Sequence, residues 1–490
     1  MAQGHMDRLS ALDVSFLTNE SSSAHMHVGG ICIFEGPPPS YDDLAEHISS
    51  RLHLVPRFRQ KLAFPPIPTG RPFWVDDPSF NLSYHVRHSA LPSPGSEDQL
   101  RRMAARVFSQ QLDRTKPLWE LWLVQGLTRK RFAFVTKTHH ALVDGVSGVD
   151  IATVLFDLKP VPEPAQPDHE WVPSPEPSPA GLLAKDAEGL ASAPLRVARR
   201  VGQAIEHPDA ALRRAGESVS ALGEVGWNFA NPAPEVPLNT EIGPHRRFAW
   251  VRADLAQFKR IKDALGGTVN DVVLAVVAGA LRNWLRARGV RTEGMELRAQ
   301  VPVSIRATDE HGALGNRIAV VRGPIPVYVE DPVQRLAVVR EGMEGIKQSK
   351  QALGAEVISR FNDFAPPTLL AQAARVNFST RLFNLVVTNV PGPQLPLYVL
   401  GRELQDIFPV GFLPPNQALF VAIMSYNGSI NFGLLADYDA IDDVDQLGGG
   451  IEHAIAELLD AAESASAERE PEPSETAPAS LPSTRRSTRS

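Results

Sequence analysis

Thr138-His139-His140-Ala141-Leu142-Val143-Asp144-Gly145 closes a run, residues 131–138, that is rich in β-branched and aromatic side chains. Such a run reads as a strand, so the two adjacent histidines stand where extended chain is about to turn. Successive side chains of extended chain point to opposite faces. His139 and His140 therefore cannot enter one cavity as a matched pair: one acts and the other supports. Imidazole titrates near neutral pH and suits a general base, a contribution of typically about 10²–10⁴-fold. Gly145 permits a turn into a helix over residues 146–158, and Asp144 can fix that turn through local hydrogen bonds. Zinc does not fit, because adjacent histidines lack the i, i+4 placement of a metal helix and no second His/Cys cluster accompanies them. A covalent route has no support either. Ser147 is followed at once by Gly148 and makes no nucleophile elbow, and Cys32 is the single cysteine.

Working outward, residues 28–34 form another strand-like run, and residues 41–54 and 96–112 show helical spacing of apolar residues. A strand is expected over residues 84–87, after a loop holding Trp74, Asp76 and Asp77. This first block, residues 7–159, is α/β. Residues 160–240 then divide the chain: repeated prolines up to Pro179 make a linker, and residues 180–222 are alanine-rich, helical in tendency and carry Arg196, Arg199, Arg200, Arg213 and Arg214. A second α/β block follows over residues 241–465. Its strand candidates are 298–303, 384–388, 418–425 and 429–434, with a helix over 272–288. Residues 466–490 are Pro, Ser, Glu and Arg with almost no apolar side chain, a composition that does not fold.

At 490 residues the chain exceeds a single core, so two domains are expected. With 43% hydrophobic and 21% charged residues it can bury a large interior. A net charge of -7 argues against nucleic acid, which demands a basic footprint. One cysteine implies no oxidising compartment, and residues 1–10 lack the layout of a signal peptide, so the expectation is a cytoplasmic protein. Residues 407–436 are uncharged but interrupted by Pro409, Pro414, Pro415, Asn416, Asn427 and Gly428, and residues 272–281 are too short to cross a bilayer. No membrane span is expected. The arginines of residues 194–214 suit a solvated helix face, with peripheral attachment to an anionic lipid surface as the second reading.

The quoted octapeptide resembles the HHxxxDG signature of the coenzyme-A-dependent acyltransferase superfamily, which includes chloramphenicol acetyltransferase and peptide-synthetase condensation domains. Further segments are similar to one branch, the bacterial wax ester synthase/acyl-CoA:diacylglycerol acyltransferase family: Leu9-Ser10-Ala11-Leu12-Asp13, Pro56-Arg57-Phe58-Arg59, Pro117-Leu118-Trp119-Glu120 and Asn270-Asp271-Val272. So are Pro302-Val303-Ser304-Ile305-Arg306, Gly315-Asn316-Arg317 and Asn389-Val390-Pro391-Gly392-Pro393. The resemblance spans residues 7–460.

It implies two chloramphenicol-acetyltransferase-like α/β (α+β) domains forming a pseudo-dimer with an interfacial tunnel, acyl-CoA entering from one side and the alcohol from the other. It implies an O-acyltransferase in which His140 deprotonates the acceptor hydroxyl, with no acyl-enzyme. The acceptor is diacylglycerol, a long-chain alcohol, or both; acyl-CoA is a substrate, and neither cofactor nor metal is called for. His139 supports His140, and Asp144 and Gly145 shape the loop, Asp144 as a structural anchor rather than a triad carboxylate. Asn270, at a helix start, is open between a plain N-cap and a donor to the developing oxyanion. Trp119, Asp271, Ser425 and Asn427 are the expected substrate-binding residues. Trp119 reads first as a packing corner and second as a lining of the acyl channel. Ser425 and Asn427 sit in a hairpin turn in which Asn-Gly supplies positive φ. The rival readings are a condensation-type acyltransferase using a carrier-protein thioester and a non-catalytic lipid-binding protein. Attachment to the inner membrane or to lipid droplets, and the oligomeric state, stay open.

Overall fold

The structure is a computed structural model that describes residues 6–66, 71–142, 154–161, 171–191, 231–304, 318–348 and 378–468. Its strands form three sheets. A small one holds β1 (Asp7–Arg8), β3 (Gln60–Ala63) and β4 (Phe73–Asp76) in the order β1-β4-β3. The first large sheet holds β2 (His27–Glu35), β5 (Val86–Ala90), β6 (Trp119–Leu127), β7 (Arg131–His139), β12 (Tyr398–Val399) and β13 (Arg402–Val410), ordered β12-β13-β2-β7-β6-β5. The second holds β8 (Arg246–Asp254), β9 (Leu297–Ser304), β10 (Ile318–Ile325), β11 (Leu385–Pro391), β14 (Leu419–Tyr426) and β15 (Ser429–Asp437), ordered β10-β9-β11-β14-β15-β8.

Alternation along the strands sorts the side chains into two cores. In β2 and β7, Ile31, Ile33, Ala133 and Val135 join a core that continues through the second sheet. Cys32, Phe34, Phe132 and Phe134 turn to a separate core on the opposite face. His139 shares the parity of Ala133 and Val135, so it points toward the seam between the two sheets.

That seam is closed by chain crossing over. β12 and β13 follow β11 in sequence yet complete the first sheet, β13 lying antiparallel to β2 with Phe408 opposite Ile31 and Val410 opposite Gly29. The ring of Phe408 stacks on Trp250 of β8 at 4.4 Å, and Asn431 of β15 donates Nδ2–H to the Ile407 carbonyl at 3.0 Å. Gly433 lets β15 approach β13 closely: a Cβ there would stand 1.8 Å from the Pro409 carbonyl oxygen. At the rim, Arg252 pairs with both Glu97 and Asp406 at 2.9 Å.

The expected strands at 298–303, 384–388, 418–425 and 429–434 are present, and the helices are set by their caps. Ser96 and Gln99 cap the helix Glu97–Phe108 reciprocally, and Thr268 with Asp271 does the same for Val269–Ala287. That cap starts the second helix three residues before the expected 272. Residues 84–87 differ from expectation: Asn81 Oδ1 accepts from Ser83 N–H and starts a short helix, Leu82–His85, which delays the strand to β5. Asn389-Val390-Pro391, beyond the expected strand 384–388, extends β11, because all three pair in parallel with β14. Among the described residues no single helix is long and apolar enough to cross a membrane. The helices Leu255–Leu265 and Val269–Ala287 reach that length only together, across a 99° break. Most of the expected helix 146–158, the arginines of 194–214 and the tail beyond 468 lie outside the described residues.

Candidate active site

Met26 fixes the start of the site. Its carbonyl accepts from His140 N–H at 2.8 Å, bending the chain out of β7 into the 3₁₀ turn His140–Leu142. His139 stays in the sheet opposite His27, with its side chain fully buried. Its Nδ1 accepts from Ala141 N–H at 3.1 Å, so the ring braces the turn that carries His140. Its Nε2 lies 3.5 Å from Glu20 Oε2. The two histidines thus have different surroundings, as their adjacency on extended chain requires.

Glu20 stands immediately after the helix Ala11–Asn19, and its carboxylate is almost fully buried. Arg114 donates to Glu20 Oε2 from Nε at 2.7 Å and from a second guanidinium nitrogen, and His27 Nε2 lies 3.3 Å from Oε1. Burial alone would raise the pKa of this carboxyl. Hydrogen bonds from His139 and His27 and the charge of Arg114 override it, so Glu20 is held well below the ordinary carboxylate range. Burial drives His27 the other way, down to about 3, against the pull of Glu20. Lys137, two residues before His139 and fully buried, gives its protons to the Val107 and Gln110 carbonyls at 3.0 and 2.7 Å. Burial lowers it to about 8 although Glu120 opposes the shift.

The half-buried ring of His140 lies among aromatic side chains. Phe16 stacks on it with centroids 3.9 Å apart and planes at 24°, and Phe412 meets it edge-on at 5.6 Å. Burial, with a smaller push from His139, lowers His140 to about 4. The imidazole is therefore neutral at physiological pH, the form that accepts a proton. Beside Phe412 the seam leaves a small gap of about 10 Å³, room for about one water, lined also by His25, His27, Phe108 and Arg246.

Asp144 and Gly145 lie outside the described residues. Trp119 is fully buried in the outer core, donating its indole N–H to the Phe58 carbonyl at 2.8 Å and stacking on His85 at 4.6 Å. Asp271 is committed to its helix start, Oδ2 accepting from Thr268 N–H and Oγ–H at 2.8 Å. Asn270, one residue earlier and half-buried, meets Asn389: its Oδ1 accepts from Asn389 Nδ2 at 3.4 Å. Ser425 Oγ accepts from Gly392 N–H at 3.3 Å and Gln394 Nε2 at 3.2 Å. Asn427 adopts φ 42° in the two-residue turn between β14 and β15, as its Asn-Gly sequence requires.

Two groups of polar residues result. One surrounds His139 and His140, and the other joins Asn270 to Asn389 at the start of the helix Val269–Ala287. Sequence reasoning missed Glu20, His27, Arg114, Phe16 and Phe412. Glu20 had a signal: a carboxylate just past the C-terminal end of a helix faces the negative pole of its dipole, an unfavourable place without a further reason.

The wax ester synthase/diacylglycerol acyltransferase catalytic domain matches residues 9–273, more than half of the chain, and the C-terminal domain of the same family matches residues 314–459. This chain is a member of that family. It is an acyltransferase. A probable diacylglycerol O-acyltransferase of Mycobacterium tuberculosis (strain H37Rv) is 33% identical over 460 residues, 93% of this chain and 96% of that protein. A second from the same strain is 34% identical, covering 92% and 99%. The solved wax ester synthase/diacylglycerol acyltransferase of Marinobacter aquaeolei VT8 is 28% identical, covers 93% of this chain and all of its own, and superposes with a TM-score of 0.64. The starter condensation domain of rhizomide synthetase shares the fold at 14% identity and a TM-score of 0.54. Family membership bears out the α/β acyltransferase architecture expected from the signature.

Proposed function

We propose that the protein transfers a long-chain acyl group from acyl-CoA to the hydroxyl of diacylglycerol or of a long-chain alcohol, with His140 as the general base. The observation that carries this reading is the contrast between the adjacent imidazoles. His139 is fully buried and braced through Nδ1, with Nε2 3.5 Å from Glu20 Oε2, whereas His140 is neutral, half-buried and, among the described residues, has no hydrogen bond from another side chain. A free nitrogen on a neutral ring can accept a hydroxyl proton.

The acceptor oxygen then attacks the thioester carbonyl, the tetrahedral intermediate expels the coenzyme A thiolate, and the imidazolium returns its proton to the sulfur. Asn270, at a helix start where amide donors are free, is the proposed donor to the oxyanion. Acyl-CoA acts as a substrate, and no step calls on a metal or cofactor. Apolar acceptors put the work in the cytoplasm at a lipid surface, the inner membrane or lipid droplets.

The test is thiol release from palmitoyl-CoA together with product analysis, using dipalmitoylglycerol and hexadecanol singly and mixed. His140→Ala should lower ester formation by at least about 10²-fold with an unchanged fold. Ester formation by that variant at the wild-type rate would end the reading.

A further inference from the structure

The base sits in an unusual place for a group that handles protons. Four phenylalanines, each more than nine-tenths buried, converge on His140 from separate parts of the chain: Phe16, Phe378, Phe412 and Phe420. Phe16 covers one face of the imidazole and Phe412 abuts its edge. These two rings also meet each other, at 6.0 Å and 81°. Phe378 closes against both, at 6.3 and 5.7 Å, and Phe420 supports Phe412 from behind at 5.5 Å. Among the described residues, the polar groups of the neighbourhood lie elsewhere. His139, His27 and Arg114 gather around the Glu20 carboxylate beneath the turn, while His25, His27 and Arg246 line the small gap beside Phe412.

Packing alone leaves one matter unexplained. A general base does not choose between the hydroxyl of an alcohol and that of water, and water is present at far higher concentration. If water reached His140, its proton would pass to the imidazole, the hydroxide would attack the thioester carbonyl and the C–S bond would break. The imidazolium would then protonate the thiolate, releasing a free fatty acid and coenzyme A. That is hydrolysis by the same machinery. An apolar surround resists it, because a water placed there forfeits hydrogen bonds at a cost of roughly 2–7 kcal/mol, whereas a lipid acceptor lays its chain against the rings.

We propose that Phe16 and Phe412 form a water-excluding wall around His140, selecting a lipid hydroxyl over water as the acyl acceptor and so making the enzyme a transferase and not a thioesterase. The proposal rests on His140 being the base. Phe16 and Phe412 are positioning residues in it, acting through the imidazole.

The experiment uses the full chain with palmitoyl-CoA. Thiol release without acceptor measures hydrolysis, and ester formed with hexadecanol measures transfer. Wild type should hydrolyse at less than about one hundredth of its transfer rate, the wall working against a cost of that order. F16A and F412A should each raise the ratio of hydrolysis to transfer at least about tenfold. They should also move the acid limb of kcat/KM to higher pH, as water replaces apolar surface around the ring. A merely structural loss would lower both rates together and leave the limb in place. Ratios within twofold of wild type in both variants overturn the proposal, and so does a wild type that hydrolyses as fast as it transfers, a result that needs no variant to fold. In F16A/H140A the added hydrolysis should vanish; its persistence shows that His140 does not activate that water and also overturns the wall. Ester formation surviving in H140A alone would instead identify the assignment of the base as the fault.

Discussion

Lowering the pH of the transfer assay puts the environment of His140 to a direct test. The base must be neutral to accept a proton, so activity is lost as pH falls through its pKa. Burial puts that value at about 4, against 6.5 for a solvated imidazole. At pH 5 a base of pKa 4 is about 90% neutral, while an unperturbed one is about 3% neutral. The structure therefore predicts that kcat/KM at pH 5 retains most of its plateau value, a difference of about thirtyfold from a solvent-exposed histidine. Initial rates of ester formation would be followed by product extraction from pH 4 to 8, with enzyme returned to pH 7 after each exposure to verify recovery. His27 requires that control. Its folded-state value, about 3, lies below its unfolded value, so the stability associated with it is present above about 6.5 and lost as pH falls toward 3. An acid limb with its midpoint near 6.5, in enzyme that recovers fully, would refute the buried and apolar description of the base.

The charged pair beneath the turn should matter for stability as well as rate. Glu20→Gln removes the buried partner of Arg114, and breaking such a pair costs about 3–5 kcal/mol. Because the Arg114 side chain is 38% exposed and can regain water, about 2–3 kcal/mol is expected at pH 7, read as a lowered Tm. Glu20 has its pKa depressed in the fold, so its contribution holds above about 4.5 and fades below it, and the gap to wild type should narrow at pH 3. An equal gap at both pH values would contradict the assignment. Gly433→Ala forces a Cβ against the Pro409 carbonyl and should cost about 1–3 kcal/mol, whereas Gly448→Ala, whose Cβ meets Val251 at an ordinary 3.5 Å, should not. Thermal melts of the two variants compare them; matching melts would mean that the two sheets do not approach as closely as described.

What the sequence determined by itself was whatever is encoded locally. The strand ending at His139, the capped helix beginning around Asn270 and the Asn427-Gly428 turn each follow from neighbouring residues, because periodicity and backbone preference act over a few positions. The adjacency of His139 and His140 already required that their side chains part. Tertiary structure alone decided which groups surround them. Glu20 joins His27, Arg114 and His139, and Phe412 reaches the imidazole from more than 270 positions away in the chain. β13 crosses to the first sheet although its sequence follows β11 of the second. Burial and electrostatic environment are sums over distant segments, and no local pattern carries them. The acidity of His140 and the apolar rings packed against it therefore appear only once the two sheets have closed on each other.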